Sequence, residues 1–223
     1  MSELLSTYAL VLKDFRSELR TRYAINALTM FVVTAVAVIM FALREETPGN
    51  DVLAGMFWVV VFFTGMSGLS RSFVSEEERG TSLTLQLVAS STVVYFGKLL
   101  FNVGLTLAMV LAVTILYMIV FSGFVIQTFS IFVVTVVLGS TGLASAATII
   151  AAIIAKANTR GTLYPVLSFP ILIVLLMTVM SATAKALDGM ELAAAYGDFV
   201  VLVSYSLVMT AGSWILFDYV WKD

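Results

Sequence analysis

Three consecutive carboxylates, Glu76, Glu77 and Glu78, followed by Arg79 and Gly80, form the densest run of ionisable groups in a 223-residue chain that is 61% hydrophobic and only 12% charged. The chemistry open to such a run is electrostatic. Ser75 followed three residues later by Glu78 fits a capping box, and an acid in a first helical turn complements the helix dipole by about 0.3–1 kcal/mol. That accounts well for Glu78 and only modestly for Glu76 and Glu77, so the run also reads as charge presented to a partner. Gly80 interrupts any helix after one turn, and the following stretch, Thr81 to Ser91, is amphipathic rather than membrane-spanning. Other chemistries are excluded by composition. With no cysteine there is no disulfide, thiolate metal site or thiol nucleophile, and with no histidine the usual general base and commonest metal ligand are missing. The sequence therefore offers no catalytic residue and no metal ligand set. A formal charge of −2 gives no reason to expect nucleic acid as a partner.

The elements that must carry this run are apolar. A helix crossing about 30 Å of hydrocarbon needs about 20 apolar residues. Six stretches qualify: Ala24 to Leu43, Val52 to Ser70, Val93 to Phe121, Ser130 to Ala155, Leu163 to Ala182 and Phe199 to Val220. The expected fold is an all-α membrane protein with six transmembrane helices over residues 24–223 and a charged connecting segment at 71–92. Residues 1–23 differ. In a helix over residues 3–20, Leu4, Tyr8, Val11, Leu12, Phe15 and Leu19 share one face, while Ser6, Lys13, Arg16, Ser17 and Arg20 point largely the other way. An amphipathic helix lying on the membrane surface is the favoured reading, and a solvated helix packed on the protein's own cytosolic parts is the alternative.

Lysine and arginine counts set the orientation. One side holds Lys13, Arg16, Arg20, Arg22, Arg71, Arg79, Lys156, Arg160 and Lys222; the other holds only Arg44 and Lys185. Lys98 sits inside the start of the third span and is expected to snorkel toward the basic side. Both termini are then cytoplasmic, and the acidic run faces the cytosol.

Ionisable groups are almost absent from the middle of the spans, which argues against a proton- or ion-coupled carrier. The neutral small residues Thr64, Gly65, Ser67 and Gly68 in the second span, and Gly139 to Gly142 with Ser145 in the fourth, read as helix packing in preference to a substrate path. The eleven methionines read as adaptable packing. Trp214, Asp218, Tyr219 and Trp221 look like an interfacial helix end. Pro165 and Pro170 flank the start of the fifth span and predict a kink near Phe169; a hinge and a fixed bend fit equally.

The string "GLSRSFVSEEERGTSL" at the end of the second span, the lysine in "YFGKLLFN", the lead "LKDFRSELRTRY" and "KANTRGTLYPVLSFPILIVLL" entering the fifth span resemble the permease subunits of type-2 ATP-binding-cassette (ABC) exporters. More narrowly, they are similar to the CcmB family, the haem exporter permease of cytochrome c maturation. The resemblance covers nearly the whole chain.

The resemblance implies a multi-pass protein of the bacterial inner membrane. It implies that ATP is bound and hydrolysed by two copies of a separate cytosolic ATPase, and this chain has no phosphate-binding loop of its own. Glu76, Glu77, Glu78, Arg79 and Gly80 are then the expected ATPase-coupling contact, with Lys156 and Arg160 a second contact or a phospholipid anchor. Lys13 and Arg16 on the N-terminal helix would embrace the same partner or hold the bundle at the membrane surface. Haem is the implied cargo, held mainly by a companion membrane protein and delivered to a periplasmic chaperone; a second permease copy is a further implied partner. With no histidine, this chain is expected to ligate no haem strongly and to convert ATPase closure into a push. The alternatives are a type-2 permease for a lipid, drug or polysaccharide, and an autonomous channel or carrier. An intramembrane enzyme would need an acid, base or nucleophile that the spans lack.

Overall fold

The computed structural model describes residues 3–21, 23–43, 48–69, 73, 76–77, 80–156 and 163–222. Among these residues every regular element is helical: α1 (Glu3–Thr21), α2 (Tyr23–Leu43), α3 (Asn50–Leu69), a short α4 (Ser82–Val88), α5 (Ser91–Val120), α6 (Phe129–Lys156), α7 (Leu163–Leu187), a 3-10 turn (Leu192–Ala195) and α8 (Tyr196–Lys222). All six expected spans coincide with helices. Five of these, α3, α5, α6, α7 and α8, are long and apolar enough to cross a membrane; the corresponding apolar stretch of α2, Leu28–Leu43, is shorter. One connection is tighter than expected. The fifth and sixth expected spans leave residues 183–198 between them, but the connection is only 188–195, because α7 runs on to Leu187 and α8 begins at Tyr196.

The helix α6 is the centre of the bundle, packed against α3, α5, α7 and α8. Small residues put it there. Ala144, Ala146, Ala147, Ala151 and Ala152 are buried. A Cβ on Gly139 would lie 2.8 Å from both Trp58 of α3 and Val179 of α7, and one on Gly142 would lie 2.8 Å from Leu175 of α7 and 3.2 Å from Tyr205 of α8. Absent side chains thus let three helices approach α6, which is how apolar helices associate when lipid offers no hydrophobic drive between them. Asn102 of α5 donates to Thr148 of α6 at 2.9 Å, adding one buried polar tie.

The outside of the bundle is as apolar as the inside. Phe41, Met177, Val208 and Ile119 are each more than two-thirds exposed. Such a surface is stable only in hydrocarbon. At the end remote from α1, Trp58 donates to Thr183 at 2.8 Å, and Lys185 binds Asp198 at 2.8 Å and the Ala194 carbonyl at 3.1 Å, pinning the α7–α8 connection. At the α1 end, Phe217 stacks on Trp221, and both lie against Phe73. Trp221 is therefore a buried packing residue and not the interfacial anchor its position suggested, whereas Tyr219 and Trp214 remain exposed. The helix α7 continues through Pro170, and Pro165 falls in its first turn, where a missing N–H costs nothing.

Candidate functional site

The connection after α3 is organised around two residues of the acidic run. Glu76 and Glu77 are helical, and the segment closes at Gly80: the Gly80 amide donates to the Glu77 carbonyl at 3.1 Å and the Thr81 amide to the Glu76 carbonyl at 3.0 Å. This is a Schellman closure with Gly80 left-handed at φ +66°. Gly80 interrupts the helix as the sequence implied. Glu76 and Glu77, however, lie in its last turn, where the dipole disfavours acids, and not in a first turn. The expected cap formed by Ser75 and Glu78 lies outside the described residues.

Cations offset that penalty. The Glu76 side chain points inward and is only 6% exposed. Its Oε1 lies 2.6 Å from Lys13 Nζ of α1 and 3.0 Å from Lys98 Nζ of α5, and its Oε2 accepts from the Thr81 hydroxyl. Lys98 in turn lies 2.9 Å from Asp14 Oδ2 of α1, and its ammonium sits 5.7 Å from the Phe73 ring centre. Lys98 is 2% exposed and Asp14 8%. Two acids and two bases thus neutralise one another out of water, with one base, Lys13, half exposed. Burial alone would raise the Glu76 carboxyl, but Lys98 beside it, with hydrogen bonds from Lys13 and Thr81, holds it down at about 2.

Neighbouring packing explains why these groups meet. A Cβ on Gly97 would lie 2.6 Å from Leu10, so α1 crosses α5 in close contact at that glycine. Leu10 and Asp14 are one helical turn apart, which places Asp14 beside Lys98, the residue after Gly97. Phe15 meets Phe101 edge-on at 5.3 Å and fixes the crossing one turn further on. The apolar face of the helical wheel packs on the protein only in part: Phe15 meets Phe101, but Leu4, Tyr8 and Leu19 stay at least 60% exposed, while Leu10 and Asp14, outside that set, are buried. Lys98 does not snorkel; its ammonium is taken up by two carboxylates.

The remaining expected site residues are spread more widely. Glu77 is half-buried and accepts from the Ser82 hydroxyl at 3.0 Å. Arg16 is exposed on α1, outside the ion-pair cluster. Lys156 ends α6, and Pro165 and Pro170 lie in α7. Glu78, Arg79 and Arg160 fall outside the described residues. Asp14, Lys98 and Thr81 were not among the expected site residues. A signal for Lys98 did exist, since a lysine inside an apolar span needs a counter-ion. Beyond the cluster, α4 exposes Leu83, Leu87 and Val88 while Gln86 donates to the Trp221 carbonyl, tying the segment to the end of α8.

A bundle that is apolar outside and in, with its charges kept to its two ends, is a multi-pass membrane protein. The family model described as CcmB protein matches residues 5–215, and the chain belongs to the CcmB family. That family comprises permease subunits of the ABC transporter of cytochrome c biogenesis, in the inner membrane. A comparison with curated proteins finds no match.

Proposed function

We propose that this chain couples ATP hydrolysis by a separate cytosolic ATPase to export of haem, or to release of a haem-loaded periplasmic chaperone, during cytochrome c maturation. It crosses the membrane six times with both termini cytoplasmic, and residues 71–92 receive the ATPase. The observation that carries this reading is the Glu76–Lys98 contact. A segment that is to pass on a push must be joined to a spanning helix, and Glu76 joins residues 76–81 to both α5 and α1. Within the acidic run, Glu76 is the inward link, whereas Glu77, Glu78 and Arg79 make the outward contact. Opposite charge on the ATPase would set register and encounter rate more than affinity. Release of a loaded chaperone is favoured over passage of haem through this bundle, because a chain without histidine offers no strong axial ligand.

The test is co-expression of the tagged chain with the ATPase and membrane proteins encoded beside it, followed by pull-down and an ATPase assay. The reading expects the ATPase to co-purify with the wild-type chain and to be lost, or uncoupled, when Glu77 and Glu78 are changed to Lys. Normal retention and coupling in that variant would remove the acidic run from the contact.

A further inference from the structure

We infer that α8 is a second output of the connecting segment, and that Gln86 is the positioning residue that passes displacement of the segment to it. This rests on the reading that residues 71–92 receive the ATPase. It adds a route to a helix far away in the chain, since Gln86 and Trp221 are 135 residues apart.

Four hydrogen bonds run along one stripe of α8. The Tyr95 hydroxyl donates to the Thr210 carbonyl at 3.2 Å, the Trp214 indole N–H to the Thr92 hydroxyl at 3.3 Å, the Ser91 hydroxyl to the Asp218 carboxylate, and the Gln86 amide to the Trp221 carbonyl. Steps of four, four and three residues keep Thr210, Trp214, Asp218 and Trp221 on one helix face. Elsewhere the helices meet mainly through small apolar residues, as α6 does through glycine and alanine. The seam to α8 is polar by contrast, and every partner in it belongs to α4 or to the first turns of α5.

The shape of α8 suits it to carry displacement across the membrane. Asp198 near its outer end is paired with Lys185 at 2.8 Å, and Asp218 is bound to Ser91 at the other end. The two carboxylates stand twenty residues apart, about 30 Å along the axis, which is the hydrocarbon thickness. No proline interrupts the helix, and Leu207, Val208, Ile215 and Leu216 are exposed, so one flank of α8 borders lipid. Helix carbonyls point along the axis toward the C-terminus, and those of the last turn have no intrahelical N–H. A donor to the Trp221 carbonyl therefore acts along the axis of α8. Gln86 is the one amide side chain of α4, and Leu85 and Ala89 seat that segment on the core beside it. Glu76 holds the near end of the segment on α5 and α1, Gln86 holds the far end on α8, and a push reaches α8 only while both holds are intact.

The outer end of α8 reports the movement. Ala195, in the 3-10 turn that leads into α8, is fully buried, whereas a side chain at Gly197 would meet no atom within 4 Å. The chain has no cysteine, so Ala195→Cys and Gly197→Cys each introduce a single thiol. Each protein is placed in nanodiscs with bound ATPase and treated with a maleimide, with and without a non-hydrolysable ATP analogue. The analogue is expected to raise labelling of Ala195→Cys several-fold and to leave Gly197→Cys, which labels in either state, unchanged. Adding Gln86→Met, similar in shape but without the donor, should remove the response at equal bound ATPase, and Gln86→Lys, which keeps a donor, should preserve it. With the ATPase bound, a response that survives Gln86→Met, one that is lost in Gln86→Lys, or no response with Gln86 intact would overturn the α8 route alone. Loss of the ATPase from the Gln86→Met chain would put Gln86 in the ATPase contact and overturn its role here. A chain with Gln86 intact that retains no ATPase would overturn the proposed function and this inference with it.

Discussion

Lys98, buried within α5, holds the Glu76 carboxylate at 3.0 Å although 22 residues separate them in the chain. The same ammonium holds Asp14 of α1 at 2.9 Å, so a single side chain joins three elements. Removing Lys98 would leave two buried carboxylates to share one half-exposed base, Lys13, and a buried charge left short of both water and counter-ion costs far more than the pair contributes.

Lys98→Met is therefore expected to destabilise the chain by about 3–5 kcal/mol, read as a fall in thermal unfolding temperature in detergent. Adding Asp14→Asn and Glu76→Gln to the same chain should recover most of that loss, since the one charge of the cluster then left, Lys13, is half exposed to water. A triple variant no more stable than Lys98→Met would show that the ion pairs are not what holds these elements together.

The cluster also fixes a pH dependence. The Glu76 carboxyl is held at about 2, below an ordinary value of 4.5, so its contribution is complete above about pH 4.5 and is lost as pH falls toward 2. Between pH 5 and 8 this group should add no slope. Comparing acid unfolding of the wild-type chain with that of Glu76→Gln should show the substituted chain less sensitive between pH 4.5 and 2.

Two glycines of the spans are expected to respond with opposite sign to the same substitution. At Gly139 a Cβ meets Trp58 and Val179 at 2.8 Å; Trp58 is tied to Thr183 and Val179 is β-branched and buried, so neither can move aside. Gly139→Ala should cost about 1–3 kcal/mol by overpacking. At Gly212 of α8 no atom lies within 4 Å, and Gly212→Ala should gain about 0.5–1 kcal/mol from helix propensity. Thermal unfolding of the two variants checks both signs.

A chain without cysteine lends itself to topology mapping. With six spans and cytoplasmic termini, Gly49→Cys and Ser122→Cys should react with a membrane-impermeant maleimide on intact cells, and Lys13→Cys and Thr84→Cys only after permeabilisation. Labelling of Lys13→Cys and Gly49→Cys from the same side would mean that α2 does not cross.

The helices were legible because each is a long apolar run with polar ends, and Gly80 was legible because a glycine after a run of acids has few other uses. The glycines of α6 carried their packing role in their size alone. The ion-pair cluster was not legible in the same way. Asp14 is one acid in an amphipathic helix rich in charge, and nothing local distinguishes it from a solvated residue; its burial follows from the close crossing of α1 at Gly97, a contact between residues more than eighty positions apart. Trp221 misled for a related reason. An aromatic residue at a helix end reads as an interface anchor until Phe73 and Phe217 are found beside it.

The measurement that bears most directly on the proposed coupling is ATP-driven release of the haem-loaded chaperone by the reconstituted transporter, with wild-type chain and with the Lys98→Met, Asp14→Asn, Glu76→Gln chain, at equal bound ATPase. The account predicts that the triple variant retains the ATPase on its outward acids but that hydrolysis no longer drives release, because the link from the connecting segment to α5 is gone. Release at the wild-type rate, with the ATPase bound, would contradict it.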